Sequence, residues 1–276
     1  MEIQQSPLFA QYIKQLGWKT EKIGPYTLFI KSFFFIGAIG KLQRTTTLPS
    51  YKTIIALIKK HRIKLLVVEP DHSISSKALS LFTTMLKPHV RISTAHYLST
   101  KTIRVDLTSL DDDIFKKFSE AKRRAVRRST TLGVSIKEST NIQELIQLKA
   151  KTAGLFGGLT TYGMKELWSC FAPTNASILL AYAKDREIMG GVLLLYWDHC
   201  AYYWIAGATK AGKKAFSPTL LVWEALKIAK KNRCETFDFV GVWDERLPKE
   251  NLVWKGFTKF KEGFGGSSLY YPLINI

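Results

Sequence analysis

The sequence predicts a mixed α/β fold in two lobes, each a mixed, mainly antiparallel sheet flanked by helices, with a cleft between them. Three observations carry this prediction. The chain has 276 residues, more than one compact core usually organises, which favours two moderate cores. Its first part runs strand, helix, strand, whereas its last part runs through a three-strand meander into a helix and a further strand. Its composition, 46% hydrophobic and 12% aromatic, is that of a packed protein and excludes a disordered chain.

Residues 26–44 alternate irregularly between apolar and polar and predict a strand pair turning near Gly37 to Gly40. Ser50 is placed to cap a helix with Ile54, Leu57 and Ile58 on its apolar face, and Ile63 to Val68 reads as a short buried strand closed by Glu69-Pro70. A second helix over Ser75 to Leu86 stops before Pro88, and Thr102 to Leu107 reads as a strand. Asp111, Asp112 and Asp113 open the clearest helix, in which Ile114, Phe118, Ala121 and Ala125 form one apolar stripe. Its last turns hold Lys122, Arg123, Arg124, Arg127 and Arg128. Acids at the start and bases at the end complement the helix dipole, so the basic cluster reads either as helix stabilisation on a solvated face or as an anion-binding face.

Further along, Ile178 to Ala183, Ile188 to Tyr196 and Ala201 to Ala206 are separated by the turns Lys184-Asp185-Arg186-Glu187 and Asp198-His199 and predict three antiparallel strands. Ser217 and Pro218 make a capped helix start with Leu221, Ala225 and Ile228 on one face, and Thr236 to Val240 returns as a strand. Meander, helix, strand is the core of an acetyltransferase-like (GNAT-like) half. Residues 1–133 are expected to form the first such lobe, with 266–276 open to completing it, and residues 134–265 the second.

Forty-one Lys and Arg against 22 Asp and Glu give a formal charge of +19, a field that gathers anionic partners such as nucleic acid, anionic lipid or a phosphorylated substrate. A basic proteome would give the same excess, so charge alone selects no partner. Cys170, Cys200 and Cys234 are odd in number, well separated and without a C-x-x-C pair, which argues against a disulfide framework and a zinc site and fits a reducing compartment. The five histidines fall in no ligand spacing, so no metal is expected. A His199-Cys200 dyad is disfavoured, since neighbours on a strand point to opposite faces. The N-terminus has no basic region leading into an apolar core, hence no secretory signal. The most apolar stretches, 28–42 and 178–197, are both broken by charges and offer no uninterrupted span of ~20 residues. A cytoplasmic protein is expected, with any membrane contact peripheral at the inner surface.

Residues 207–217 occupy the place where a glycine-rich turn would cradle a coenzyme A pyrophosphate on backbone N–H groups. Here Gly207 and Gly212 are sparse and Pro218 removes an N–H from the helix start. Coenzyme A is disfavoured and no cofactor is expected, although Lys210, Lys213 and Lys214 would still attract an anionic donor.

Five stretches in order carry a resemblance: Thr102 to Thr108, Lys122 to Arg128 leading to Gly133-Val134, Ser217 to Glu224, Phe237 to Gly241, and Trp254-Lys-Gly-Phe-Thr-Lys-Phe-Lys-Glu-Gly-Phe-Gly265. A looser match runs through Gly17-Trp18 and Glu69-Pro70. Together they resemble the peptidoglycan bridge aminoacyltransferases of the Fem type, within the acetyltransferase-like superfamily. The resemblance implies two acetyltransferase-like lobes, an aminoacyl-tRNA donor and an anionic peptidoglycan precursor, nucleotide- or lipid-linked, as acceptor. It places Phe260 and Lys261, the first pair of the closing motif, in or beside the reaction centre. The sequence departs from the family after Thr152, where relatives often carry an Arg and this chain has Ala153, Gly154, Leu155 and Phe156. Another cation or a different acceptor is then required.

An amino acid esterified to tRNA is already activated, so aminolysis needs alignment and stabilisation of the charge on the carbonyl oxygen. Lys261 is the candidate cation and Phe260 the residue that dries the pocket. Asp238, on a strand between Phe237 and Phe239, is the candidate acceptor for the incoming amine or an orienting carboxylate, with a structural carboxylate as the alternative. Lys41, Arg44, Arg127 and Arg128 are candidates for the acceptor's phosphates, and Tyr162, Tyr203, Trp223 and Trp254 for its remaining surface. Lys210, Lys213, Lys214, Lys227, Lys230 and Lys231 could track a tRNA backbone. Two other functions stay open: a superfamily acyltransferase acting on a sugar, lipid or protein amine, and a non-catalytic basic nucleic-acid-binding protein.

Overall fold

The computed structural model describes residues 1–153 and 160–274. The chain divides into two compact units, Met1–Lys101 with Leu269–Ile276, and Thr102–Ser268. The expected boundary near residue 133 is therefore displaced. The reason is packing: Ile114, Phe118 and Val126 are buried in one core with Phe237, Phe239 and Phe264, which assigns the basic helical region to the second unit.

In the first unit, α1 (Pro7–Gln15) begins where the Ser6 hydroxyl accepts from the Phe9 N–H, satisfying one of the unpaired donors of a helix start. Five strands follow: β1 (Lys19–Ile23), β2 (Tyr26–Phe33), β3 (Gly37–Gln43), β4 (Ile63–Glu69) and β5 (Arg91–Ile92), side by side in that order. The first three are antiparallel. The last three are parallel, joined through α2 (Tyr51–Lys60) and α3 (Ser76–Leu86). Leu28, Ile30, Leu42, Ile54, Leu66, Leu79 and Leu86 form the core.

The β2–β3 turn is not at Gly37 to Gly40. Gly37 and Gly40 lie within β3, paired with Phe33 and Ile30, and the chain reverses at Phe34, Phe35 and Ile36. Gly40 is glycine because a Cβ there would come within 3.1 Å of both Ile63 and Leu66. Its signal is close packing, which from sequence alone reads as a turn.

The second unit carries a seven-stranded sheet in the order β12-β6-β11-β10-β9-β8-β7. Its elements are β6 (Lys101–Asp106), α4 (Asp111–Lys116), α5 (Glu120–Thr131), β7 (Ser135–Ser139), α6 (Ile142–Ala153), α7 (Met164–Phe171), β8 (Ala176–Tyr182), β9 (Ile188–Trp197) and β10 (Cys200–Ala208). They continue with α8 (Lys210–Lys214), α9 (Ser217–Lys231), β11 (Thr236–Asp238), α10 (Lys255–Glu262) and β12 (Ser267–Tyr270). The meander β8–β9–β10 is antiparallel. Asp198 and His199 close its second hairpin with φ of 49° and 58°, the two left-handed residues that match the strand twist.

Two helix starts differ from expectation. The predicted long helix is broken between α4 and α5, where Ser119 caps α5 and its N–H bonds to the Gly263 carbonyl. Arg123 donates to the carbonyls of Lys116 and Phe118, closing the end of α4 as helix-terminal cations do. Ser217 is not a cap either: it is buried inside α9, and Phe216 occupies the cap position at φ 59°.

Candidate active site

The site originates in a strand pair that separates. β10 and β11 run parallel and pair only over Cys200 with Thr236, Ala201 with Phe237 and Tyr202 with Asp238. Past that point β10 continues with β9 alone, and the β9–β10 register shifts between Tyr203 and Ile205, a bulge of the kind that re-aims side chains. Beside the freed edge lies a cavity of about 910 Å³. Its wall comprises β10 from Tyr203 to Ala208, Phe216, Pro218 and Thr219 at the start of α9, Lys213, and Trp254, Phe257, Phe260 and Lys261 around α10. Lys122 of α5, Lys149 of α6 and Thr160 complete it.

The segment after β11 sets the position of Lys261. Val240 and Gly241 have φ of 63° and 148°, a left-handed turn that is unusual for a β-branched residue. The turn presents two carbonyls inward, and Lys261 Nζ donates to Phe239 O at 2.8 Å and Gly241 O at 2.6 Å. Thr258 anchors α10 to the same segment, accepting from the Trp243 N–H at 2.7 Å. Burial pushes the Lys261 ammonium down to about 8, partly opposed by the negative charge of Asp238.

Two more lysines share this environment. Lys122 Nζ stands 3.7 Å over the Phe260 ring and 5.0 Å from that of Phe264, and burial pushes it down to about 8. Lys149 donates to Ala206 O at 2.9 Å, and burial lowers its affinity for a proton too. Three ammonium groups in an aromatic wall are poorly solvated, and an anion entering the cavity would relieve each of them.

Asp238 supports this arrangement from behind. Its buried carboxylate accepts from Thr102 Oγ1 at 2.6 Å, Arg104 Nε at 2.8 Å and the Val240 N–H at 2.7 Å. It is not among the residues of the cavity wall, and through the Val240 N–H it holds the turn on which Lys261 rests.

The cavity thus brings together Phe260, Lys261, Tyr203, Trp254 and Lys213. Tyr203 is buried against Phe237 and Phe239, and burial raises its phenol. Trp223 is placed elsewhere, half-buried against Phe115 and Phe118 beside the core. Arg127 and Arg128 are exposed, the latter 5.4 Å from the Phe216 ring. Tyr162 is 71% exposed and outside the cavity wall. Of the expected tRNA contacts, Lys210, Lys213, Lys214 and Lys231 are exposed. Lys227 pairs with Glu224, and Lys230 with Asp111 and the Ser109 carbonyl. From sequence Lys122 reads only as one member of a basic cluster and Lys149 is not singled out, because nothing local distinguishes them among so many lysines. Gly154 to Phe156, where the family pattern is interrupted, lie outside the described residues.

Lys41 and Arg44 belong to the first unit. Lys41 Nζ lies over the rings of Trp18 at 5.1 Å and Tyr97 at 4.3 Å, and burial lowers its proton affinity despite Glu69. Arg44 is buried, donates to Ser99 O at 2.6 Å and stacks 3.2 Å from the Tyr271 ring. Glu2, Asp71 and His72 hold ligand-type atoms within 4.8 Å of one another, a grouping that no sequence spacing could reveal. Among the described residues no helix is long and apolar enough to cross a membrane.

In the loop leading into α9, several of the N–H groups that could meet a coenzyme A pyrophosphate are engaged within the loop. The Gly212 N–H bonds to Thr209 Oγ1, Lys213 N–H to Thr209 O and Phe216 N–H to Lys213 O, and Pro218 has none to offer. Gly212 is glycine because a Cβ would meet the Met189 carbonyl at 2.2 Å. These three donors serve the loop.

A family model described as an acetyltransferase (GNAT) domain matches residues 116–255, just over half of the chain. The fold is similar to that of FemX, with a TM-score of 0.76 at 12% identity, covering 98% of this chain and 90% of that one. It is similar to the C-terminal domain of a protein assigned as a lysylphosphatidylglycerol synthetase from Agrobacterium fabrum, with a TM-score of 0.62 at 11% identity over 98% and 87% of the two chains. L-PGS from Bacillus licheniformis gives a TM-score of 0.60 at 11% identity over 99% and 88%. Identities this low show a shared fold. Among curated proteins none matches the sequence.

Proposed function

The chain belongs to the acetyltransferase (GNAT) domain family, and from that premise we propose that it is an acyltransferase whose donor is an aminoacyl-tRNA and whose acceptor is an amine on a peptidoglycan precursor. The observation that carries this reading is a cavity walled by Lys122, Lys149 and Lys261, beside a loop in which the Gly212, Lys213 and Phe216 N–H groups bond within the loop itself. Such a site suits a bulky, anionic donor whose reactive ester enters the cavity. The FemX fold and the two lysylphosphatidylglycerol synthetase folds support transfer of an amino acid.

The chemistry follows from the wall. The acceptor's neutral amine attacks the ester carbonyl carbon, forming a C–N bond and a tetrahedral oxyanion. The ammonium of Lys261, with two donors held by Phe239 O and Gly241 O, directs its remaining N–H toward that oxygen. The C–O bond to the terminal ribose then breaks, and the proton released by the amine ends on the ribose oxygen. Phe260, Phe257 and Trp254 exclude water, which would otherwise hydrolyse the ester. Asp238 acts through the 239–241 turn and is a positioning residue.

A lipid acceptor is the second reading, favoured by the lysylphosphatidylglycerol synthetase folds. Incubating the protein with charged tRNAs and, in separate arms, peptidoglycan precursors and phosphatidylglycerol separates the two by the product's mass. Acetylation from acetyl-coenzyme A with no aminoacyl product in either arm would contradict the proposal.

A further inference from the structure

The tip of the β2–β3 hairpin carries an apolar cluster that the fold leaves uncovered. Phe33, Phe34, Phe35 and Ile36 are 44%, 85%, 95% and 75% exposed. Phe34 and Phe35 face only each other, edge to face at 4.1 Å between ring centres. Phe35 has φ of 64°, a left-handed position where glycine or asparagine costs least. Local conformation and solubility both argue for a small polar residue there, and neither explains an aromatic one. Exposed contiguous apolar surface of this kind marks an interaction site.

Beside the tip lies a basic groove of about 510 Å³ walled by Lys59, Arg62, Lys64, Lys87, His89 and Arg91. The two features are physically joined. The Ala38 N–H bonds to Arg62 O at 3.0 Å, and Gly37, the first residue past the tip, lies so close to Lys64 that a Cβ would come within 2.6 Å of its Cγ. Lys59, Arg62, Lys64, Lys87 and Arg91 are exposed, and none of the five pairs with an acidic side chain among the described residues.

We propose that the first unit docks on an anionic phospholipid bilayer, with Phe34 and Phe35 entering the acyl region and the groove's cations resting on lipid phosphates. The chemistry favours this occupant. An aromatic tip gains by leaving water for the headgroup boundary, basic residues next to it meet a negatively charged leaflet, and the chain's +19 charge draws the whole molecule there. One chain element supplies the insertion and its neighbours supply the attraction, the pair of signals that stable attachment without a spanning helix requires. The inference concerns the first unit alone and stands whichever acyl donor the second unit uses.

Flotation of the full chain with vesicles tests it. The protein should float with phosphatidylcholine vesicles containing phosphatidylglycerol, not with pure phosphatidylcholine, and added salt should release it. Phe34→Ser with Phe35→Ser should weaken the anionic-vesicle affinity by about tenfold or more, and Lys59→Gln with Lys87→Gln should weaken it while leaving the tip intact. All four positions are exposed, so unchanged circular dichroism melting is the control for folding. Equal flotation with neutral vesicles, full retention by the double phenylalanine variant, or binding of single-stranded RNA in place of vesicles would each overturn the proposal.

Discussion

Lys261 Nζ and the carbonyl oxygen of Gly241 lie 2.6 Å apart, and the second carbonyl, of Phe239, holds the same ammonium at 2.8 Å. Two of its three donors are thus fixed by one turn of backbone, which orients the third. The turn in turn rests on Asp238, which accepts the Val240 N–H. Recognition of the acyl group, if it depends on Lys261, depends on this chain of contacts.

Replacing Asp238 should therefore have two separable effects. Asp238→Asn removes the Arg104–Asp238 ion pair and disturbs the hydrogen bonds of Thr102 and Val240, at a cost of about 2–3 kcal/mol in stability, readable in chemical denaturation. It also removes the charge that raises Lys261's proton affinity, so the alkaline limb of the rate profile should move to lower pH. A purely structural residue would leave that limb in place.

The pH dependence of the parent has a defined sign. Lys261 titrates at about 8 in the folded protein against an ordinary 10.5, so the working ammonium is lost, and the rate of transfer falls, as pH rises through about 8. Lys261→Arg should carry the limb upward, because a guanidinium stays charged. Folding stability runs the other way. Between about 8 and 9 the unfolded chain holds more protons on Lys261 and Lys122 than the folded one, so their burial makes stability rise with pH there, before the buried Cys234, Tyr196 and Tyr203, all raised by burial, begin to oppose it. Urea midpoints at neutral and alkaline pH measure it.

Donor binding should weaken with salt in proportion to the phosphates contacted. Removing one exposed cation, Lys210 or Lys214, should lower the slope of log affinity against log salt by about one. Lys230→Gln should instead cost stability, since that ammonium is held by Asp111 and Ser109. A slope unaffected by Lys210 and Lys214 would assign the tRNA backbone to another face.

Acetyl-coenzyme A should not bind tightly, because the Gly212, Lys213 and Phe216 N–H groups of the loop before α9 are bonded to Thr209 and Lys213 and Pro218 offers none. Calorimetry is the direct check, and micromolar binding would return coenzyme A as the donor.

How much of this was legible in the sequence depends on how local each signal is. The meander and α9 were readable because their apolar periodicity is set by residues a few positions apart. The Phe260-Lys261 pair was readable through the closing motif, and the structure brings both to the cavity wall. Trp223 is half-buried against the core, where Phe115 and Phe118, more than a hundred positions earlier, pack on it, a placement no short window shows. The break at Ser119 was hidden since its partner is Gly263. Lys122 and Lys149 differ from other lysines only through the tertiary burial that lowers their proton affinity, which no short window records. The hairpin tip was misplaced because glycines at 37 and 40 draw the eye from the aromatics that make the turn.

In the proposed reaction the Lys261 ammonium stabilises charge on the transferring acyl group. The rate of aminoacyl addition to the acceptor, followed by mass spectrometry with charged tRNA as donor, tests it most directly in the parent, Lys261→Met and Lys259→Met proteins. Lys259 is exposed and two positions away, so its replacement should leave the rate unchanged. Lys261→Met should slow turnover by about 10²–10³-fold with donor and acceptor affinities nearly intact, as expected for an interaction made mainly in the transition state. A folded Lys261→Met protein that turns over like the parent would contradict the account.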